Sequence, residues 1–540
     1  MTKSRSIIIA AAALLCAPSL RAQQATWASK DVHYGRNDAM PAAIVTDTTL
    51  QAWRGERIGI EALLHTDAAC AVTVKTSGDF QCEAAPLGYV LTDNFRACGV
   101  HPDDLTPYEV PDIIDLTATA VPAEAATLTP VWVSIEVPTD AAPGLYDHTV
   151  DIAGEQLTLH IQVQNHTLPS PQTQAFHLNL WQQPYAVSRY YGVEPWSEAH
   201  FRHLEPYAKM LARAGQRTIS TILFFEPWGE QSNDLFLPMV QTTRRTDGSW
   251  SYDYSVFDRW VEFMDRHGVG PLIECFTMIP WEMNFRYFDE ASGDYAFLKT
   301  TTDAAEYRDL WSSFLRAFSA HLSEKGWTER TAISMDERAL PDMLNALQIV
   351  RDTAPELKVS LAGNYHPEII DRLHTCSIQL GDAMPPEVVA QRRDRGQVTT
   401  LYTCCTLPEP NLFSNNQPAD AAWLPVYCTS TGYDGYLHWS WMNWTDDPMH
   451  DSRFKLFAPG DTYFIYPNCS SVRFERLIEG IQLSEKARVL RREFIANGDA
   501  ASLARLEEAL NPIRARQLSR HVTTASVVRT LTQTINQLSE

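Results

Sequence analysis

Eight short apolar runs, separated by stretches long enough for helices or long loops, set the character of the chain from Phe176 onward. They are Phe176 to Leu180, Thr218 to Phe225, Leu272 to Phe276, Ala332 to Met335, Lys358 to Ala362, Cys376 to Leu380, Val398 to Tyr402 and Gly435 to Trp439. Amphipathic patterns fall between them: Glu198 to Arg213, Phe257 to His267, Ala304 to Ser323, Pro341 to Thr353 and Pro386 to Arg393, with a last helix from about Ser471 to Arg491. A strand covered on both faces reads as a short apolar run, and two parallel strands need a long crossover between them. Eight such units over about 300 residues predict a (β/α)8 barrel with insertions, spanning 172–491. The connection from Gly229 to Tyr254 is too long for a simple link; with a hairpin turn at Arg244-Arg-Thr-Asp-Gly248, it is expected to run over the barrel mouth.

Upstream the period changes. From Trp27 to about Pro171 alternating patterns replace helical ones, with strands expected at Arg57 to Leu64, Val72 to Lys75, Trp132 to Val137 and Leu157 to Val163. This predicts a β-sandwich domain at 23–171 that leaves through the stiff Pro169-Ser-Pro171 linker. Two further helical stretches, Ala500 to Leu510 and Val522 to Leu538, predict a helical tail over 492–540. At the start, Lys3 and Arg5, the apolar Ile7 to Ala17 and Leu20-Arg21-Ala22 read as an export signal over 1–22, so a periplasmic or secreted protein is expected.

With 66 acidic against 44 basic residues, the net charge is −22, and no Lys/Arg run interrupts it. A nucleic-acid or anionic-membrane partner is therefore not expected, and after the leader no apolar run is long enough to span a bilayer. Removing Cys16 with the leader leaves nine of the 10 cysteines, spread too widely for a small disulfide framework. One bridge among Cys70, Cys82 and Cys98 is feasible, while Cys275, Cys376, Cys404, Cys405 and Cys428 read as buried thiols. No CxxC or HExxH occurs, so no metal or other cofactor is expected.

Working side chains of such barrels sit at the C-terminal strand ends. Those ends carry Gln182, Glu226, Glu274, Asp336, Glu337, Asn364, Asp382, Tyr402, Trp439 and Trp441. If Asp336 points inward then so does Ser334, while Ile333 and Met335 face the helices. Glu337 shares the pocket only if the strand ends or bulges at the pair. Adjacent carboxylates resist joint ionisation, so one pKa rises, which suits acid catalysis of glycoside cleavage. An acid pair opening a helix is equally a capping device. Trp439 and Trp441, two apart, are expected to wall a sugar pocket, whereas Trp444 reads as core.

Trp53-Arg-Gly-Glu-Arg57, Ile333-Ser-Met-Asp-Glu-Arg338, Gly435-Tyr-Leu-His-Trp-Ser-Trp441, Gly460-Asp-Thr-Tyr-Phe-Ile-Tyr-Pro467 and Ser471-Val-Arg-Phe-Glu-Arg476 follow one another along most of the chain. In that order and spacing they resemble glycoside hydrolase family 123, whose members are β-N-acetylgalactosaminidases. The resemblance implies substrate-assisted retention, in which the sugar's 2-acetamido oxygen attacks the anomeric carbon. It makes Glu337 the acid and then base, and Asp336 the group that orients the acetamide. Tyr402 would bond the acetamide oxygen, with Trp439 and Trp441 around it. Asn364, Glu274, Arg453 and Asp461 are further candidates for substrate contact. In Arg338 the chain departs from the Pro that often follows the pair in related barrels. The competing readings are a double-displacement glycosidase with Glu274 as nucleophile and a non-catalytic glycan-binding relative.

Overall fold

The computed structural model describes residues 23–540 apart from positions 103, 230, 383 and 408, so the expected export signal lies outside the described residues. Residues 23–167 fold into two facing sheets. In the larger, Arg57–Thr66 lies between Gln23–Ala28 and Thr127–Glu136, antiparallel to both, and Gln81–Thr92 and Tyr108–Ile114 follow. In the smaller, Glu155–Thr167 alternates cleanly. Its Leu157, Leu159, Ile161 and Val163 are buried in one cluster with Ile60, Val131, Val133 and Ile135, as a half-covered strand of period two requires.

The larger sheet does not stop at the domain's edge. Its outermost strand is Ser470–Ser471, from the far end of the chain, paired with Tyr108–Ile114. The 26-residue helix Val472–Asn497 then runs against the sandwich. Arg57 bonds Glu475 at 2.8 Å, Asp31 bonds Arg476 at 2.6 Å, and the Gly59 N–H donates to Glu479 at 2.8 Å. Burial would raise the Glu475 carboxyl, but the Arg57 and Arg213 guanidiniums outweigh it and hold it down at about 2.

The barrel strands are His177–Leu180, Thr218–Ile222, Leu272–Phe276, Thr331–Met335, Lys358–Ala362, Thr375–Gln379, Val398–Tyr402 and Gly435–His438, all in one parallel sheet. The eighth pairs the first. Between first and second the ladder is reduced to a single bridge, Leu178 with Gln216. Glutamine amides stitch this seam: Leu180 N–H donates to Gln216 Oε1 at 2.9 Å, and Ser220 N–H donates to Gln182 Oε1 at 2.8 Å. The interior is polar for a barrel. Ser334 and Ser360 share a hydrogen bond at 2.7 Å, Ser377 bonds Thr400, and Asn179 donates to Glu274 at 2.9 Å.

Two connections depart from the plain strand–helix repeat. The Gly229 to Tyr254 excursion does form a hairpin, Gln241–Arg244 with Trp250–Asp253, but it joins a second hairpin, Asn284–Asp289 with Asp294–Lys299, in a four-stranded sheet. That sheet packs on helix Ala305–Lys325, with Tyr252 bonding Ser313 at 3.1 Å and meeting Phe314 edge to face, while Gln231, near the start of the excursion, reaches the barrel's mouth. Between the fifth and sixth strands a single 3-10 turn, Ile370–Arg372, replaces a helix.

The tail helices Ala500–Arg514 and Thr524–Leu538 pack against Pro418–Ser430 and Val472–Asn497. The last also reaches the sandwich, where the Trp53 indole donates to Ser539 at 3.1 Å.

Candidate active site

Six of the eight barrel strands end at one cavity of about 260 Å3, and the loops after the second and third reach it through Trp228, Gln231 and Trp281; the volume is at the small end for ligand sites. Its walls are largely aromatic: Trp181, Trp228, Trp281, Tyr402, Trp439 and Phe457. The carboxylates of Asp336, Glu337 and Asp461 are its acidic groups. Alternation explains the inward set, since Leu437 and Tyr402 pair in register and both reach the cavity.

The fourth strand ends at Met335, and helix Leu340–Thr353 begins after a four-residue link. Ser334 points inward to Ser360, while Ile333 and Met335 join the apolar cluster outside. Because the strand stops before the pair, alternation no longer forces Asp336 and Glu337 apart, and both line the cavity. Gly363 packs beside the acid: a Cβ there would lie 3.4 Å from the Glu337 Cα, in van der Waals contact.

The two acids are held differently. Asp336 accepts from the Trp228 indole at 2.8 Å and from the Glu337 N–H at 2.9 Å. Burial, with the Glu337 charge adding to it, pushes the Asp336 carboxyl up to about 6 despite those bonds. Glu337 is the more open acid and accepts a short hydrogen bond from the Tyr402 hydroxyl.

At the other side, Asp461 is fully buried and 3.8 Å from His438 Nε2. Burial pushes Asp461 up to about 7 and His438 down to about 3, so near pH 7 the imidazole is neutral and the carboxyl stands at the midpoint of its titration. Neither Asp461 oxygen accepts a well-formed hydrogen bond, although the Trp439 indole N–H is near enough to oppose the rise.

Of the residues expected from sequence, Asp336, Glu337, Tyr402, Trp439 and Asp461 line the cavity together. Trp441 does not. The eighth strand ends at His438, so the two-residue spacing stops meaning a shared face, and Trp441 turns into the core against Phe474 and Tyr207. Glu274 lies in the middle of its strand, not at the tip; it is buried below the cavity on Asn179 and pushed up to about 7 by burial. Asn364 is exposed beyond the turn at Gly363, leaving Ala362 to face the cavity. Arg453 is spent on Asp451, with two bonds at 2.8 and 2.6 Å. Gln182 belongs to the barrel seam, Glu226 accepts from the Phe236 N–H to close its loop, and Asp382 is exposed. Trp444 is core, its indole bonded to Ile465 O at 2.9 Å.

Sequence reasoning missed Trp228, Trp281, Gln379 and Phe457, which come from strand ends and long loops whose path no local pattern sets. It also missed a disulfide. Cys98 pairs with Cys405, 307 residues away, tying a sandwich loop to the loop after the seventh strand at the cavity rim. Cys405 is therefore not a free thiol, and the bridge is not within the first domain; Cys70 and Cys82 are unbridged. Backbone bonds from Gly99 to Leu456 and His101 to Lys455, both 2.9 Å, fix the same contact.

Among the described residues no group of three or more His, Cys, Asp or Glu is placed to hold a metal ion, and no helix is long and apolar enough to cross a membrane.

Residues 181–490 match the family described as Glycoside hydrolase 123, catalytic domain, and residues 27–154 match the Glycoside hydrolase 123 N-terminal domain. The chain belongs to glycoside hydrolase family 123. Among solved structures, the family 123 glycoside hydrolase from Clostridium perfringens, described for glycolipid glycan hydrolysis, superposes with a TM-score of 0.86 at 24% identity, covering 96% of this chain and 98% of that one. A putative α-galactosidase/melibiase from Bacteroides fragilis reaches a TM-score of only 0.26 at 9% identity, covering 84% of this chain and 80% of that one, too low to inform the site. No curated protein gives a match. Family 123 membership makes this protein a glycosidase, and a carbohydrate its substrate.

Proposed function

We propose that this family 123 hydrolase is an exported, exo-acting, retaining β-N-acetylgalactosaminidase that works by substrate assistance. The observation that carries the reading is the Asp336–Glu337 pair beyond the end of the fourth strand, both acids lining one small aromatic cavity. Asp336, fixed through both oxygens by Trp228 and the Glu337 N–H, orients the acetamide of the sugar and balances the charge of the oxazolinium as it forms. Glu337, the more open acid, protonates the departing oxygen and then deprotonates the incoming water. Tyr402, bonded to Glu337 in the free enzyme, moves its donated bond to the acetamide oxygen when the sugar enters.

The position of Glu274 supports this over double displacement, since a nucleophile must touch the anomeric carbon and Glu274 lies below the cavity, engaged with Asn179. The small volume favours one terminal ring over an extended chain. Glycolipid glycans, described for the Clostridium perfringens relative, are the natural substrates to try first. The test is release of N-acetylgalactosamine or N-acetylglucosamine from aryl β-glycosides and glycolipid glycans between about pH 4 and 8. Release of neither sugar would refute the proposal.

A further inference from the structure

Trp281 and Arg338 stand out at the cavity mouth. Trp281 lines the cavity yet is 38% exposed, one of the large apolar side chains left open to water among the described residues. The Arg338 guanidinium lies over its ring, 4.8 Å from the centroid. Arg338 follows the acid pair directly, and among the described residues it makes no ion pair; its Nε is shielded from solvent without a hydrogen-bond partner. Other arginines around the barrel rim are spent on acids, as Arg189 is on Asp234 and Arg453 on Asp451. The cavity itself is lined by three carboxyl groups. The Arg338 charge is felt by Asp336, but among the described residues no carboxylate is within ion-pair distance of the guanidinium, which therefore keeps donors for a negative charge arriving from outside.

We propose that Trp281 and Arg338 form the leaving-group subsite: the indole face stacks on the sugar being released, and the guanidinium gives this subsite a preference for a sugar bearing a carboxylate or sulfate. The inference rests on the glycosidase reading above. Glu337, next to Arg338 in the chain, protonates the oxygen that joins the two sugars, so the released sugar must lie on the Glu337 side of the cavity mouth. An aromatic ring offers such a sugar its apolar face. Arg338 both steadies that ring from one side and carries the charge.

Three substrates separate the possibilities: N-acetylgalactosaminyl fluoride, whose leaving group is too small to reach Trp281, and β-N-acetylgalactosaminyl disaccharides ending in galactose or in glucuronic acid. A fourth, with a sulfated galactose, distinguishes sulfate from carboxylate recognition. kcat/KM is measured for the wild type, Arg338→Gln and Trp281→Ala. In the wild type the acidic disaccharides are expected to be preferred over the neutral one by about three- to fivefold at low salt, and less at high salt. Arg338→Gln is expected to abolish that preference. Trp281→Ala is expected to lower kcat/KM on every disaccharide by about tenfold, a several-fold larger loss than on the fluoride. Equal losses on fluoride and disaccharide would overturn the stacking role, and a charge preference that survives Arg338→Gln, or is absent from the wild type, would overturn the role of the guanidinium. A wild type that cleaves none of the four overturns the glycosidase reading, and this inference with it.

Discussion

The Trp228 indole donates a 2.8 Å hydrogen bond to Asp336 Oδ2, so the carboxylate assigned to the substrate's acetamide is oriented before any sugar arrives. Trp228 is itself fixed by rings, 5.3 Å from Trp181 and 5.1 Å from Phe276. Trp228→Phe keeps the packing and deletes the bond. A hydrogen bond to a charged group contributes about 1.5–3 kcal/mol, so kcat/KM should fall roughly ten- to a hundredfold. Because the bond favours the ionised form, the acid limb of the pH profile should also move upward. An unchanged profile would leave Trp228 a packing residue only.

The pH dependence follows from Asp336 itself. Its carboxyl titrates at about 6 in the folded chain, above its ordinary value, because burial disfavours the charged form. Activity that needs the carboxylate should therefore fall as pH drops through about 6, seen in kcat/KM, which reports the free enzyme. The sign for stability is opposite. A raised acid makes the folded state bind more protons than the unfolded one, so this group's contribution is greatest below the unfolded pKa and declines as pH rises through about 6. Asp336→Asn should remove most of the activity, and the protein should melt no lower than the wild type at pH 7.

Glu475 shows the reverse coupling. Held down at about 2 by Arg57 and Arg213, it contributes stability fully above the unfolded carboxylate range and loses it as pH falls toward 2. Glu475→Gln leaves two guanidiniums at the domain junction without that charge, and should cost about 3–5 kcal/mol, visible as a lower denaturant midpoint at pH 7. A variant as stable as the wild type would show that the sandwich and barrel are joined by other means.

The Cys98–Cys405 bridge should matter to the site as well as to stability. Removing a bridge of this kind typically costs about 2–5 kcal/mol. Cys98→Ser should lower Tm and also raise KM, because Cys405 and Thr406 form part of the cavity wall. A lower Tm with unchanged kinetics would confine the bridge to stability.

Much of this architecture was legible because burial on two faces leaves an unmistakable apolar run. The third, fifth and seventh strands begin and end where Leu272–Phe276, Lys358–Ala362 and Val398–Tyr402 predict. The site was legible only as far as strand alternation lasts. It placed Asp336, Tyr402 and Trp439, and it failed at Trp441 one turn past His438. Contacts made across a hundred residues or more left no local trace, as with Cys98 and Cys405 or Trp228 and Asp336. Two of the motifs that carry the family resemblance, Gly460 to Pro467 and Ser471 to Arg476, also do structural work. Arg473 and Tyr466 both bond Asp112, at 2.8 and 2.6 Å, locking the barrel to the sandwich. Gly460, at φ +78°, lies where a Cβ would meet Ser414 N and Arg473 Nη1 at 2.7 Å, so that turn requires glycine.

The central claim, that the substrate's own acetamide is the nucleophile, is tested most directly by inhibition with the thiazoline of N-acetylgalactosamine, a stable mimic of the oxazolinium. Assayed against aryl β-N-acetylgalactosaminide hydrolysis, it should inhibit the wild type competitively and much less tightly after Asp336→Asn. Hydrolysis that proceeds uninhibited, with a 2-fluoro sugar trapping a covalent glycosyl-enzyme instead, would contradict it.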